Sequence, residues 1–157
     1  MTTKGEKLSQ TNNFPLANVK NLKIGIVVSD WNKEITARLL DGSIKTLNSL
    51  GISNKNICVK HVPGSFELIY SAKRMQERSF DAIIVIGCLI KGETMHFDYI
   101  CQGVTDGIKQ LNIINEIPII FCVLMDENIK QSIERSGGKY GNRGIEAAYS
   151  AIKMSIF

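Results

Sequence analysis

Ala82-Ile83-Ile84-Val85-Ile86 constrains this chain more than any other stretch. A strand with one wet face alternates apolar and polar residues, and this run does not alternate. It must be covered on both faces, as central strands of parallel sheets are. Polar residues bound it, Asp81 before and Lys91-Gly92-Glu93 after, so the spacing predicts a strand over 81–90. Shorter apolar runs at 22–28, 57–62 and 118–125 read as three further strands.

Segments of helical spacing separate the strands. Ser29-Asp30-Trp31-Asn32 opens a helix with Leu40, Ile44 and Leu47 on its apolar side, and Gly51 ends it. Ser65 is the expected N-cap of a second helix, with Leu68, Ala72 and Met75 inward. A third carries Phe97, Ile100, Cys101, Val104, Ile108 and Leu111 on one stripe. Asp126 is the expected cap of a short helix over 127–136, which Gly137-Gly138 breaks. Asn142 caps a last helix with Ile145, Ala148, Tyr149 and Ile152 inward. Strict strand–helix alternation predicts an α/β/α sandwich around a four-stranded parallel sheet with two open edges.

At 157 residues the chain is long enough for one core, expected over 21–157. Residues 1–20 form a polar arm in which Pro15 favours an extended path, and the arm or self-association can cover a sheet edge. The net charge, 19 − 15 = +4, comes with acidic residues interleaved among the basic ones. No cationic stripe points to nucleic acid. Cys58, Cys88, Cys101 and Cys122 form no CxxC pair, which predicts reduced thiols rather than a disulfide frame or a zinc site. No apolar run approaches the ~20 residues that span a bilayer, and the first residues lack an apolar signal core. A cytoplasmic location with no membrane partner is the expectation.

Loops that follow parallel strands gather at one sheet edge, where open α/β proteins keep their ligands. The loop Gly87-Cys88-Leu89-Ile90-Lys91-Gly92-Glu93-Thr94-Met95-His96 delivers one of only two histidines to a helix start. Imidazole is the side chain best suited to moving protons near neutral pH. Trp31 and Phe66 offer flat surfaces for a heteroaromatic ring, with Asn32 beside the first. Glu67 and the groups at Gly64 and Ser65 can bind a polyol or an amide edge. Glu93 and Thr94 sit at a helix N-terminus, whose free N–H groups bind anions. Each residue also has a plainer reading. Trp31 can be a packing aromatic, Glu67 a solvated first-turn carboxylate, and Cys88 an inert packed thiol rather than a nucleophile. His61, within a strand, reads as structural. The Arg135, Lys139 and Arg143 cluster is either an anion site or a surface patch; Tyr140 after Lys139 departs from a P-loop.

Val62-Pro63-Gly64-Ser65-Phe66-Glu67, the 87–99 segment, and Glu127-Asn128-Ile129 through Ser136-Gly137 together resemble the 6,7-dimethyl-8-ribityllumazine synthase family. The likeness runs in order from about Asn21 to Met154. It implies a flavodoxin-like fold and a condensation of 5-amino-6-ribitylamino-pyrimidinedione with 3,4-dihydroxy-2-butanone 4-phosphate, with no metal or organic cofactor. By resemblance Trp31 is the ring-stacking aromatic, with Asn32 next to it. Ser65, Phe66 and Glu67 contact the pyrimidine and ribityl groups, and Cys88, Leu89 and Ile90 line the pyrimidine. Glu93 and Thr94 lie on the phosphate side, His96 transfers protons, and Arg135 binds phosphate with Lys139 adding positive field. Phe121 matches an aromatic donated by an adjacent subunit, so His96 and Arg135 are expected at one crevice on a subunit seam.

Three positions depart from common family usage: Arg143 for lysine, Cys122 for glycine and Met125 for threonine. The first keeps the charge; the other two alter shape beside Phe121. The resemblance also implies a homopentamer, with the short turn 137–142 favouring a shell of sixty subunits, and a riboflavin synthase as a candidate partner. Two other functions fit the same pattern: a lumazine- or flavin-sequestering protein without turnover, and a flavodoxin-like signalling or scaffold domain.

Overall fold

A computed structural model describes residues 16–157. Residues 1–15 of the expected arm lie outside the described residues. The sheet runs β2 (Ile57–Val62), β1 (Ile24–Ser29), β3 (Ala82–Ile90), β4 (Ile119–Asp126), all parallel. Helices α1 (Lys33–Ser49) and α5 (Arg143–Ser155) cover one face, and α2 (Glu67–Gln76) and α3 (His96–Ile114) cover the other. The short α4 (Ile129–Arg135) follows β4, and a small antiparallel ribbon, β5 (Ser136–Gly138) with β6 (Gly141–Asn142), leads into α5. This is the three-layer sandwich the alternation implies and the flavodoxin-like fold the resemblance implies.

The apolar run sits where its pattern requires. Ala82, Ile84, Ile86 and Cys88 enter the α1/α5 layer, and Ile83 and Val85 enter the α2/α3 layer, all with no exposed surface. Each large side chain so buried stabilises by about 1.5–3 kcal/mol, which makes the middle of the sheet the best place for this segment. Strand β1 is buried along its whole length, whereas edge strands β2 and β4 are buried only in part.

Several sequence expectations shift. Val19, placed in the polar arm, is 1% exposed and packs into the α1/α5 core from a 3-10 turn, Leu16–Asn21. α1 begins at Lys33, after the loop rather than at Ser29. Ser65 does not cap α2: Phe66 holds the N-cap position, and Ser65 Oγ has no hydrogen-bond partner. Asp126 does not cap α4 either. Asn128 Oδ1 accepts from Gln131 N at 3.1 Å, and Gln131 Oε1 accepts from Glu127 N at 2.9 Å, close to a reciprocal capping box. Asn142 caps α5 as expected, accepting from Gly144 N at 2.8 Å.

The inward faces of α1 and α5 hold at Leu47, Ala148 and Ile152, which are fully buried. Leu40, Ile44, Ile145 and Tyr149 are only half-buried, while Gly42, Ser43, Gly144 and Ala147 are buried. The two helices meet backbone to backbone, so small residues occupy the seam. A Cβ on Gly144 would lie 1.9 Å from the Leu39 carbonyl oxygen. Ser43 Oγ shares its proton between Leu39 O at 3.0 Å and Gly144 O at 2.9 Å. Gly144→Ala is therefore expected to push the helices apart and cost about 3 kcal/mol, an overpacking penalty. A lower denaturant midpoint at unchanged far-UV circular dichroism is the check.

Candidate active site

The loop after β1 is pinned by its backbone. Asp30 N–H donates to Val62 O at 2.8 Å and Trp31 N–H to Pro63 O at 3.1 Å. Asn32 then takes a left-handed conformation, φ 57 and ψ 44, which asparagine tolerates better than most residues. Its Nδ2 donates to the Cys88 carbonyl at 2.9 Å, tying this loop across to the end of β3. Trp31 is left 71% exposed. That exposure, on the largest side chain available, marks it as a surface for something other than the core.

The loop after β2 approaches β3 because Gly87 has no side chain. A Cβ there would meet Ser65 Oγ at 2.7 Å and Val123 at 3.2 Å. Phe66 leans on α3 where Gly103 makes room, a Cβ at that glycine lying 3.3 Å from the ring. The loop after β3 ends in Thr94, whose Oγ1 accepts the His96 backbone N–H at 3.4 Å, and His96 opens α3 as its first residue.

These three loops enclose a cavity of about 580 Å³. Trp31, Asn32, Ser65, Phe66 and Glu67 form one side of it. Leu89, Ile90, Thr94 and His96 form the other, together with Gly64, Gly92, Phe97 and Ile100. Phe97 and Ile100 belong to the helical stripe expected to be core, and they are half-buried because they wall this cavity.

The remaining candidates lie elsewhere. Glu93 is exposed on the same loop but does not line the cavity. Cys88 is fully buried behind it, its thiol 3.5 Å from Ser132 Oγ. Burial pushes that thiol above its ordinary pKa; the Ser132 hydrogen bond lowers it and the Asp126 charge raises it. Phe121 and Arg135 line a second cavity, of about 600 Å³, along edge strand β4. Arg143, Glu146, Cys122, Met125 and Asp126 complete much of its wall. Lys139 lines neither cavity and packs its ammonium 5.3 Å from the Tyr140 ring centroid. Within one chain, then, His96 and Arg135 do not share a crevice.

Two side-chain pairings had no usable sequence signal. His61 was read as structural, yet its side chain is about half exposed and its Nδ1 lies 2.8 Å from Asp30 Oδ1, one residue before Trp31. The pairing comes from strand register, with Val28 opposite His61, which sequence spacing does not reveal. Asp126, expected as a cap, turns instead toward Arg135. Among the described residues no cluster of three or more His, Cys, Asp or Glu could hold a metal ion, and no helix is long and apolar enough to cross a membrane.

A parallel sheet with an aromatic-walled cavity at its carboxyl edge defines a small-molecule-binding α/β protein of the doubly wound class. Residues 21–156 match the family model described as 6,7-dimethyl-8-ribityllumazine synthase. Proteins bearing that name are similar along essentially the whole chain. The one from Flavobacterium psychrophilum is 53% identical over 156 residues, covering 99% of this chain and 82% of its own length. The Christiangramia forsetii protein is 52% identical over 157 residues, covering 99% and 94%. The Parabacteroides distasonis protein is 49% identical over 158 residues, covering 100% and 99%. The chain belongs to the 6,7-dimethyl-8-ribityllumazine synthase family of enzymes.

Burial separates the thiols. Cys122, enclosed between β4 and α5, is pushed up to about 12, chiefly by burial and then by Glu146, with Arg143 opposing. Cys88 is raised for the reasons above. Both should resist alkylation at pH 8 in the native protein and react once it is denatured, as peptide mass mapping will report. Folded Cys122 keeps its proton to about pH 12 while the unfolded thiol ionises from about 9, so its contribution to stability is complete below 9 and is lost as pH rises toward 12.

Proposed function

We propose that this chain is a transferase that condenses 5-amino-6-ribitylamino-2,4(1H,3H)-pyrimidinedione with 3,4-dihydroxy-2-butanone 4-phosphate. The products are 6,7-dimethyl-8-ribityllumazine, phosphate and water, the penultimate step of riboflavin biosynthesis. The observation that carries the reading is about 50% identity over the full chain to proteins of that name. The cavity supports it, because Trp31 and Phe66 wall a space of about 580 Å³ with His96 on its boundary.

In this reading the pyrimidine stacks on Trp31 and Phe66 over the end of β3. Ser65 and Glu67 engage its polar edge and ribityl chain. The 5-amino nitrogen adds to the ketone carbon and water leaves, giving an imine. His96 shuttles protons as the carbon–oxygen bond to phosphate breaks, and Glu93 and Thr94 face the phosphate side. Loss of the C3 proton expels phosphate and leaves an enol at C3; the enol tautomerises to a carbonyl, the ribitylamino nitrogen closes the ring onto it, and a further dehydration yields the lumazine. The steps are condensations, one phosphate elimination and proton transfers between held reactants, so orientation supplies much of the acceleration. No cofactor or metal has a role in it.

Phe121 and Arg135 enter from an adjacent subunit in this reading. Two incomplete cavities on one chain, one holding His96 and the other Arg135, support it. Copies arranged in a ring join one cavity of each chain to the other cavity of the next. Lys139 adds positive field at the edge of the phosphate side. A homopentamer is proposed on this basis, with assembly of twelve pentamers into a shell as the leading form. Residues 21–157 form the synthase domain, and the cytoplasm is the location. Riboflavin synthase is the candidate protein partner. Light scattering on the purified protein separates pentamer from shell.

Mixing both substrates with the protein and following product absorbance tests the reaction; absence of lumazine would favour a sequestering or scaffold protein. His96→Ala should lower turnover by about 10²-fold, typical for a lost proton-transfer group, with ligand affinity mostly kept; unchanged turnover removes His96 from the mechanism. Arg135→Ala should raise KM for the phosphorylated substrate far more than for the pyrimidine, since it deletes a charge-assisted pair. Equal effects on both would count against the assignment.

A further inference from the structure

Asp126 ends β4 at only 6% exposure, and no step above uses it. Its Oδ2 accepts a hydrogen bond from Ser132 Oγ at 2.8 Å, and its Oδ1 lies 3.6 Å from Arg135 Nη1. Arg135 has two other holds: Nη1 donates to Gln131 O at 3.0 Å, and the guanidinium carbon stands 5.4 Å from the Tyr140 ring centroid. Among the described residues, Asp126 is the carboxylate that pairs with it. The neighbouring carboxylates are engaged elsewhere, Glu127 with Lys91 at 3.3 Å and Glu146 with Arg143. A buried carboxylate survives by pairing with a cation, and here that cation is the one aimed into the second cavity.

The geometry of the pair is informative. At 3.6 Å the contact is Coulombic rather than a two-pronged hydrogen bond, so the guanidinium keeps N–H groups for another anion. Any such anion approaches within reach of a fixed negative charge. We infer that Asp126 is a positioning residue that acts through Arg135 as a built-in rival anion, lowering the affinity of that guanidinium for phosphate so that the released ion departs. The inference rests on the proposed reading of Arg135 as the phosphate-binding group.

Asp126→Asn removes the charge and keeps an oxygen for Ser132, while Gln131 and Tyr140 still hold Arg135. Inorganic phosphate, assayed as a competitive inhibitor against the phosphorylated substrate, should bind about tenfold tighter, or about 1.4 kcal/mol. KM for that substrate should fall while kcat does not rise and KM for the pyrimidine stays put. A merely structural role would weaken both substrates together. Asp126→Ser, neutral and smaller, repeats the measurement if the amide disturbs folding. Phosphate bound no more tightly, or more weakly, in these variants overturns the inference. Arg135→Gln distinguishes the two levels. If phosphate inhibits this variant as strongly as it inhibits the wild-type protein, the reading of Arg135 fails and the inference falls with it. If Arg135→Gln abolishes inhibition while the Asp126 variants fail to tighten it, the inference alone is wrong.

Discussion

Strand β3 is constrained on four sides, paired to β1 and β4 in the sheet and covered by helices on both faces. Its carboxyl end runs on beyond β1, paired to β4 as far as Ile90 and tied back to the loop after β1 by the Asn32 side chain. Leu89 and Ile90 of that end line the first cavity, and side-chain contacts run from it toward the second. Gly87 lets the α2 loop settle against the strand, the Cys88 carbonyl holds the Asn32 side chain, and the Cys88 thiol meets Ser132. From Ser132 the polar contacts continue to Asp126 and Arg135. One strand end thereby sets the position of the aromatic loop on one side and of the guanidinium on the other.

The molecule leaves unusual surfaces open to solvent. Trp31 is 71% exposed, Phe66 51% and Phe121 40%, each lining a cavity. Exposed aromatic surface regains its hydrophobic free energy when a flat ligand or a neighbouring copy covers it. The half-buried edge strand β4 beside Phe121 adds unpaired backbone to the same argument. In the proposed reading, a neighbouring copy supplies that cover.

Much of the fold was legible because burial on both faces leaves a pattern that no other environment tolerates. Residues 82–86 announced a central strand, and the alternation around it announced the layers. Caps were read less well. Ser65 and Asp126 had the right chemistry for capping, but Asn128 took the second role, and Ser65 lies against Gly87, where its hydroxyl finds no partner. The small residues on the inward faces of α1 and α5 were missed for a related reason. Hydropathy seeks large apolar residues, while a close helix seam selects small ones, so Gly144 and Ser43 went unnoticed. Asp126 in the second cavity was missed because its partner, nine residues on, is met only once α4 has turned the chain back.

The sequence by itself determined the layer order, the family, and which residue types gather at the carboxyl edge of the sheet. Those follow from periodicity and from motifs contiguous along the chain. Only the tertiary structure decided that His96 and Arg135 face different cavities of one chain, that His61 pairs with Asp30, and that Asp126 faces Arg135. Such pairings depend on strand register and on the angle at which a helix leaves the sheet. Both are set by the packing of whole elements, and no local spacing of residues encodes them.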